Sequence, residues 1–163
     1  YMDLEVDGFV ATIVLNRPDK LNAWSWESAR QITAHADRIR FDDSIRVVIV
    51  RAEGRAFCAG LDVASFGKHA SGGDQTDRIV KRTHGDSNLM QEVAMIWRKV
   101  PVPVIAAVHG YCLGGGVGLV GNADLVVASE DASFGLPEVD RGALGAATHL
   151  ARLVPQQKMR AMV

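Results

Sequence analysis

Apolar residues along this chain fall into short β-branched runs, separated by stretches with helical spacing and by glycine-rich turns. Leu4 to Val6 and Phe9 to Leu15 flank Asp7-Gly8, which predicts a hairpin. Pro18-Asp19-Lys20 predicts a loop. Ser25 follows as an N-cap, with Ser28 three positions on in place of the Glu of a full capping box. Ala29, Ile32, Ala36 and Ile39 then recur at helical spacing to about Arg40. VVIVRA, Val47 to Ala52, has the form of a strand buried on both faces. After it, EGRAFCAGLDVASFG reads as a glycine-punctuated loop. A polar stretch at Ser71 to Asp74 precedes a helix over 77–99, and VPVIAAVHG predicts a second buried strand ending at Gly110. LVVAS at 125–129 predicts a third, and ASFGLPEV a brief strand turning at Gly135 and Pro137. Helical patterns close the chain near Ala146–Leu153 and from Pro155 onward.

Strands alternating with helices predict one α/β domain over residues 1–163 with a largely parallel sheet. Right-handed crossovers would gather the functional loops at one end of that sheet. The last pattern, PQQKMRAMV, stops soon after it starts, so the expectation is a domain truncated at its C-terminus.

Composition narrows the picture further. With 18 basic and 19 acidic residues the net charge is −1, which gives no electrostatic basis for binding nucleic acid or an anionic membrane. No apolar run approaches the length of a membrane span, and the expectation is a soluble chain. The two cysteines, Cys58 and Cys112, lie far apart in sequence and form no CxxC or His/Cys cluster. They predict neither a disulfide framework nor a metal site, and point to a reduced, cytoplasmic setting. Both read as small core residues. His35, His69, His84 and His149 have no ligand-like spacing, and His109, at a strand end, reads as a satisfied buried histidine.

The stretch YCLGGGVGLVGNADL contains Gly116-Val-Gly118-Leu-Val-Gly121, which fits a dinucleotide-binding G-x-G-x-x-G. That motif needs its first glycine directly after a strand near the start of the fold, so that the turn aims a pyrophosphate at the helix N-terminus. Here the strand ends at His109, four residues intervene before the triple glycine, and no early βαβ unit precedes it. A dinucleotide reading is disfavoured. G-x-x-x-x-G-K-[ST] and G-x-S-x-G are absent, which removes the phosphate loop and the serine-hydrolase elbow.

AFCAGLD (56–62), AAVHGYCLGGGVGL (106–119) and FGLPEVDRG (134–142) fit a different chemistry. Each joins glycine to a strand end and can present free backbone N–H groups to a ligand. Two such donors on one oxygen make an oxyanion hole, suited to a thioester or ester carbonyl that becomes an enolate. Glu138 after Pro137 could then move a proton at the neighbouring carbon.

These segments, with TIVLNRPDKLNA (12–23), RVVIVRAEGRAFCAGLDV (46–63), PVPVIAAVHGYCLGGGVGL (101–119), ADLVVASEDASFGLPEV (123–139) and RGALG (141–145), resemble the enoyl-CoA hydratase/isomerase (crotonase) superfamily along nearly the whole chain. The match is to the N-terminal, spiral-fold portion. The resemblance implies a crotonase-like ββα spiral with its C-terminal helices missing, an acyl-CoA substrate, no prosthetic group and no metal, and assembly as trimers or pairs of trimers. It implies Leu61 and Gly115 as oxyanion donors and Glu138 as catalytic acid/base. Lys20, Leu21, Ala23, Ala59, Leu61 and Asp62 would hold coenzyme A, largely through backbone groups, with Lys20 and Arg55 near its phosphates. Asp62 also reads as a cap for the turn that follows it. Trp24, Trp26 and Trp97 read as core, with Trp24 and Trp26 within reach of the ligand loop.

One departure stands out. Hydratases of this family carry a second glutamate two residues after the triple glycine, where this chain has Gly118. Dienoyl isomerases carry acids at that position and at the one corresponding to Ala146. One carboxylate suffices to shuttle a proton between two carbons, so double-bond isomerisation is expected first. Hydration comes second, and a non-catalytic acyl-CoA-binding or scaffold protein is the alternative of another class. Asp140 is the nearest further acid, and it would share a face with Glu138 if the segment were extended.

Overall fold

Three times the chain leaves one sheet, turns, and lays a short strand in a second sheet. The computed structural model describes residues 1–62, 64–65, 92–93, 95–141 and 146–163. Strands β1 (Met2–Asp7) and β2 (Val10–Leu15) form the expected hairpin. Its turn sits at Gly8-Phe9 rather than Asp7-Gly8, because Gly8 takes φ +55°, a left-handed value that suits glycine. Strands β3 (Val47–Ala52), β5 (Val104–Val108) and β7 (Leu125–Ala128) extend this sheet in the order β1-β2-β3-β5-β7, with every pairing after the hairpin parallel.

The second sheet is β4 (Ala56–Cys58), β6 (Tyr111–Leu113) and β8 (Ser133–Gly135), all parallel. Each follows directly on a strand of the large sheet. The expected glycine loop after β3 therefore contains a strand, and the residues between His109 and the triple glycine form another. Gly110 makes the second of these steps possible. It has φ +54°, and a Cβ there would lie 2.2 Å from the Arg55 carbonyl oxygen.

Helix α1 (Trp26–Arg40) begins at Ser25, as the sequence predicts. Ser28 N–H donates to Ser25 Oγ at 3.1 Å and Ser25 N–H to Ser28 Oγ at 3.4 Å, so a serine closes the capping box where a glutamate was missing. Its buried stripe, Ala29, Ile32, Ala36 and Ile39, packs into one core with Ile13, Leu15, Val48, Val50, Val104 and Ile96. Helices α2 (Gly115–Val120), α3 (Ala147–Leu153) and α4 (Gln156–Arg160) follow.

Three expectations change. β3 buries Val48, Val50 and Ala52 fully but leaves the alternate residues half-buried, so one face is packed more tightly than the other. β7 is the outer strand, and Leu125 and Val127, on one face, are 59% and 63% exposed because no described element covers them. Most of the helix expected over 77–99 lies outside the described residues; at its end, Ile96–Lys99 is a 3₁₀ turn.

Replacing Ile32, fully buried under the sheet, with alanine is expected to lower stability by about 2–5 kcal/mol. Phe41→Ala, at a side chain 79% exposed, should change it by less than ~0.5 kcal/mol. Urea denaturation of both variants checks the contrast.

Candidate functional site

The segment after the 3₁₀ turn at Pro18–Lys20 is bent by two consecutive left-handed residues, Leu21 (φ 50°) and Asn22 (φ 55°). Asn22 tolerates this conformation and is 5% exposed. Its Oδ1 accepts from Arg17 N–H at 2.7 Å, and its Nδ2 donates to the carbonyls of Glu53 and Ala56 at 2.8 and 2.9 Å. That anchor sends residues 21–24 alongside residues 59–62. Ala59 N–H donates to Leu21 O (3.0 Å), Trp24 N–H to Gly60 O (2.8 Å), and Asp62 N–H to Trp24 O (2.7 Å).

This small parallel bridge sets the direction of the Leu61 N–H. The Gly60 carbonyl and the Leu61 N–H belong to one trans peptide plane and point in opposite directions. With the carbonyl held by Trp24, the N–H faces away from the 21–24 segment. Among the described residues it has no hydrogen-bond partner.

Gly115 stands beside it. A Cβ at Gly60 would lie 4.0 Å from the Gly115 nitrogen, and a Cβ at Gly115 would lie 3.8 Å from the Gly60 carbonyl carbon and 3.2 Å from Trp24 Cδ1. As the first residue of α2, Gly115 has no acceptor for its N–H inside the helix. The far end of α2 is held by side chains: Trp97 Nε1 donates to Leu119 O (3.0 Å) and Asn122 Nδ2 to Gly118 O (3.1 Å).

Glu138 reaches the same place from the turn after β8. Its carboxylate lies on the backbone of Gly114, where a Cβ would sit 2.0 Å from Oε1. Gly114 has φ +50°, so both its conformation and the acid above it require glycine. Glu138 Oε2 is buried without a hydrogen-bond partner among the described residues. A buried carboxylate oxygen in that state can still accept a hydrogen bond from a ligand or a water. Gly118 is buried on α2, and a Cβ there would meet only the Ala146 Cβ at 3.7 Å among the described residues. The two positions without an acid thus face each other.

The structure brings Leu61, Gly115 and Glu138 together, and Leu21, Ala23, Ala59 and Asp62 line the adjoining ladder, all half-buried. Lys20 and Arg55 are exposed. Asp62 caps its turn as expected, through Ser65 N–H to Oδ1 (3.2 Å). Its Oδ2 also takes Arg17 Nη1 at 2.8 Å. That bond is the main reason its carboxyl is held below the ordinary value of 3.8. Sequence reasoning missed Arg17 and Asn22, whose partners are 45 and up to 34 residues away and leave no local pattern.

Other expectations are amended. Asp140 lies in a 3₁₀ turn, Val139–Arg141, not an extended segment, and is exposed rather than sharing a face with Glu138. It borders an open hollow of about 480 Å³ with Leu113, Pro137, Val139 and Met162, whose lining takes in both neighbours of Glu138 but not Glu138 itself. His109 is satisfied through Nε2 to Gly54 O (2.7 Å) but is only half-buried. His69 and His84 lie outside the described residues. Trp24, Trp26 and Trp97 are all core.

The sequence profile of the enoyl-CoA hydratase/isomerase family matches residues 10–157. A Rhodococcus jostii protein named a (7aS)-7a-methyl-1,5-dioxo-2,3,5,6,7,7a-hexahydro-1H-indene-carboxyl-CoA hydrolase is 55% identical over 116 residues, covering 71% of this chain and 42% of the relative. A Mycobacterium tuberculosis protein of the same name is 52% identical over 115 residues, covering 71% and 43%. The chain thus spans less than half the length of these two relatives. A probable enoyl-CoA hydratase from Mycobacterium thermoresistibile superposes with a TM-score of 0.83 at 32% identity, over 99% of this chain and 64% of that one. The fold is therefore the crotonase-like α/β spiral that the motifs implied.

Burial pushes the Cys58 thiol up to about 12 and raises that of Cys112 as well. Neither should react with Ellman's reagent at pH 8 in the folded protein, and both should react once it is unfolded in urea. The Arg17–Asp62 pair carries a second prediction. A carboxyl whose folded pKa is depressed adds stability above its ordinary value and loses it as pH falls through the depressed one. The stability deficit of Asp62→Asn, measured by urea denaturation, should therefore be full at pH 6 and shrink at pH values below 3.8.

Proposed function

This chain belongs to the enoyl-CoA hydratase/isomerase family, and on that premise we propose that it acts on an acyl-CoA thioester by holding its enolate at Leu61 and Gly115 and moving one proton with Glu138. The observation that supports this reading is the nearness of the Leu61 and Gly115 backbone to a carboxylate whose Oε2 is buried and has no hydrogen-bond partner among the described residues. The thioester oxygen accepts both N–H groups, and negative charge gathering on it is stabilised without any reorganisation of the site. The ladder of Leu21, Ala23, Ala59 and Asp62, with Lys20 at its exposed end, is the side from which coenzyme A would be held.

Two reactions need no acid beyond Glu138. In the first, Glu138 takes a proton from one carbon of an enoyl thioester and returns it two carbons away, which shifts the double bond. In the second, the substrate carries a ketone β to the thioester carbonyl. Glu138 takes a proton from water, and the resulting hydroxide adds to the ketone carbon. The bond from that carbon to the thioester α-carbon then breaks, leaving its electron pair as the thioester enolate. Glu138 returns the proton to the α-carbon. Water has been added, and a ketone has become a carboxylic acid.

We assign the second reaction, hydrolytic carbon–carbon cleavage. Two relatives above 50% identity are named hydrolases of a dioxo-indene carboxyl-CoA, whereas relatives at 34% and 33% are named a dienoyl-CoA isomerase and a probable enoyl-CoA hydratase. Isomerisation stays as the second reading, favoured by Gly118. Hydration is third, because the water-holding pair of acids is broken there. The same reading takes the protein to be a cytoplasmic enzyme of acyl-CoA breakdown that assembles as trimers or pairs of trimers.

Incubation with 2-oxocyclohexanecarboxyl-CoA in ¹⁸O-water should give a ring-opened product with the label in its new carboxylate. A 3-enoyl-CoA should turn over more slowly. Glu138→Gln should lower kcat by about 10²–10⁴-fold. Rapid hydration of a 2-enoyl-CoA that survives Glu138→Gln would overturn the single-carboxylate reading.

A further inference from the structure

The Leu61 N–H is useful only if it points at the thioester oxygen, and the peptide that carries it sits in an irregular loop. Gly60 has φ +99°, and Leu61 is 42% exposed. Three backbone bonds hold the loop to residues 21–24, and that segment is itself strained by left-handed Leu21 and Asn22. Something must keep the two segments in register.

Arg17 is placed to do so. Its guanidinium spans the ladder, with Nη1 2.8 Å from Asp62 Oδ2 on one segment and 3.4 Å from the Ala23 carbonyl on the other. Both charged side chains are 15% exposed, so the pair is shielded more than a surface ion pair. Arg17 N–H is fixed by Asn22 Oδ1, and its guanidinium lies 4.7 Å from the centroid of the Tyr1 ring. Asp62 is the residue after Leu61, and its own N–H closes the bridge to Trp24. The charge pair therefore fastens the peptide that follows Leu61, while Trp24 fastens the one before it.

We infer that Arg17 is a positioning residue for the oxyanion hole, which it serves by locking Asp62, and with it the Leu61 N–H, against the 21–24 segment. This rests on the oxyanion reading above. Arg17 itself touches no reacting atom. Asp62 accordingly acts through its partner, and its carboxylate is not free to bind coenzyme A directly.

Acetoacetyl-CoA tests this in a Glu138→Gln background, where cleavage of its β-ketone is slowed, since a β-ketoacyl thioester bound with its oxygen on two N–H donors is drawn toward its enolate, which absorbs in the near ultraviolet. The enolate band per bound molecule is read by difference spectroscopy, and the Kd by calorimetry. In Arg17→Met the band should fall about tenfold, short of the ~10²–10³ expected for deleting a donor, while the Kd stays within about threefold. Arg17→Lys should restore part of the band, because it restores the charge but not the planar fork. Circular dichroism checks that each variant folds. Should Arg17→Met not fold, Asp62→Asn makes the same comparison, since its amide oxygen still accepts from Ser65 N–H. A full band per bound molecule in the variant would overturn the inference, as would a loss confined to Kd. Absence of a band in the Glu138→Gln protein with Arg17 intact would instead overturn the oxyanion reading, and this inference with it.

Discussion

The site depends on one hydrogen bond, from the Trp24 N–H to the Gly60 carbonyl. A peptide plane has two polar ends, and fixing one fixes the other. By occupying the carbonyl, Trp24 leaves the Leu61 N–H facing away from the ladder. No side chain of Leu61 is needed for this, which is why a residue with no polar side chain can be part of a polar site. The same economy holds at Gly115, whose N–H has no acceptor inside the helix it begins.

The spiral brings these groups together. Each passage from the large sheet to the small one delivers a short strand, and the residues just beyond those strands carry the site: Gly60 and Leu61 after β4, Gly114 and Gly115 after β6, Glu138 after β8. Parallel pairing of β4, β6 and β8 places their ends side by side. Buried cysteines at partnered positions of β4 and β6 fill the space beneath, where a Cβ on Gly116 would lie only 2.9 Å from Cys58 Cβ. Small residues there let α2 lie close against the sheet.

Much of this was legible in the sequence, and the gaps have physical causes. Periodicity gave α1, which buries a repeating face, and short continuous apolar runs gave β3 and β5. β4 and β6 escaped because three residues cannot establish a period, and the glycines beside them imitate a loop. Leu61, Gly115 and Glu138 could be named through the order of several motifs, since glycine and Pro-Glu turns mark where the backbone must bend. Arg17 and Asn22 could not, because their work is done with Asp62, Glu53 and Ala56 far along the chain. Side-chain to backbone bonds at such separations have no sequence signature. Whether Asp140 shares a face with Glu138 rested on a related point. The segment's local curl, not its composition, decides which acids share a face.

The contact between Glu138 and Gly114 has a consequence for how this protein can change. With 2.0 Å between the acid and the place a methyl group would occupy, the two positions are mutationally coupled. A side chain at 114 would push the Glu138 carboxylate aside, and at φ +50° it would also strain the backbone. Position 118, by contrast, meets only one distant methyl among the described residues. Evolution or a designed library therefore has an asymmetric choice: a side chain at 114 displaces the acid already present, whereas one at 118 meets little among the described residues.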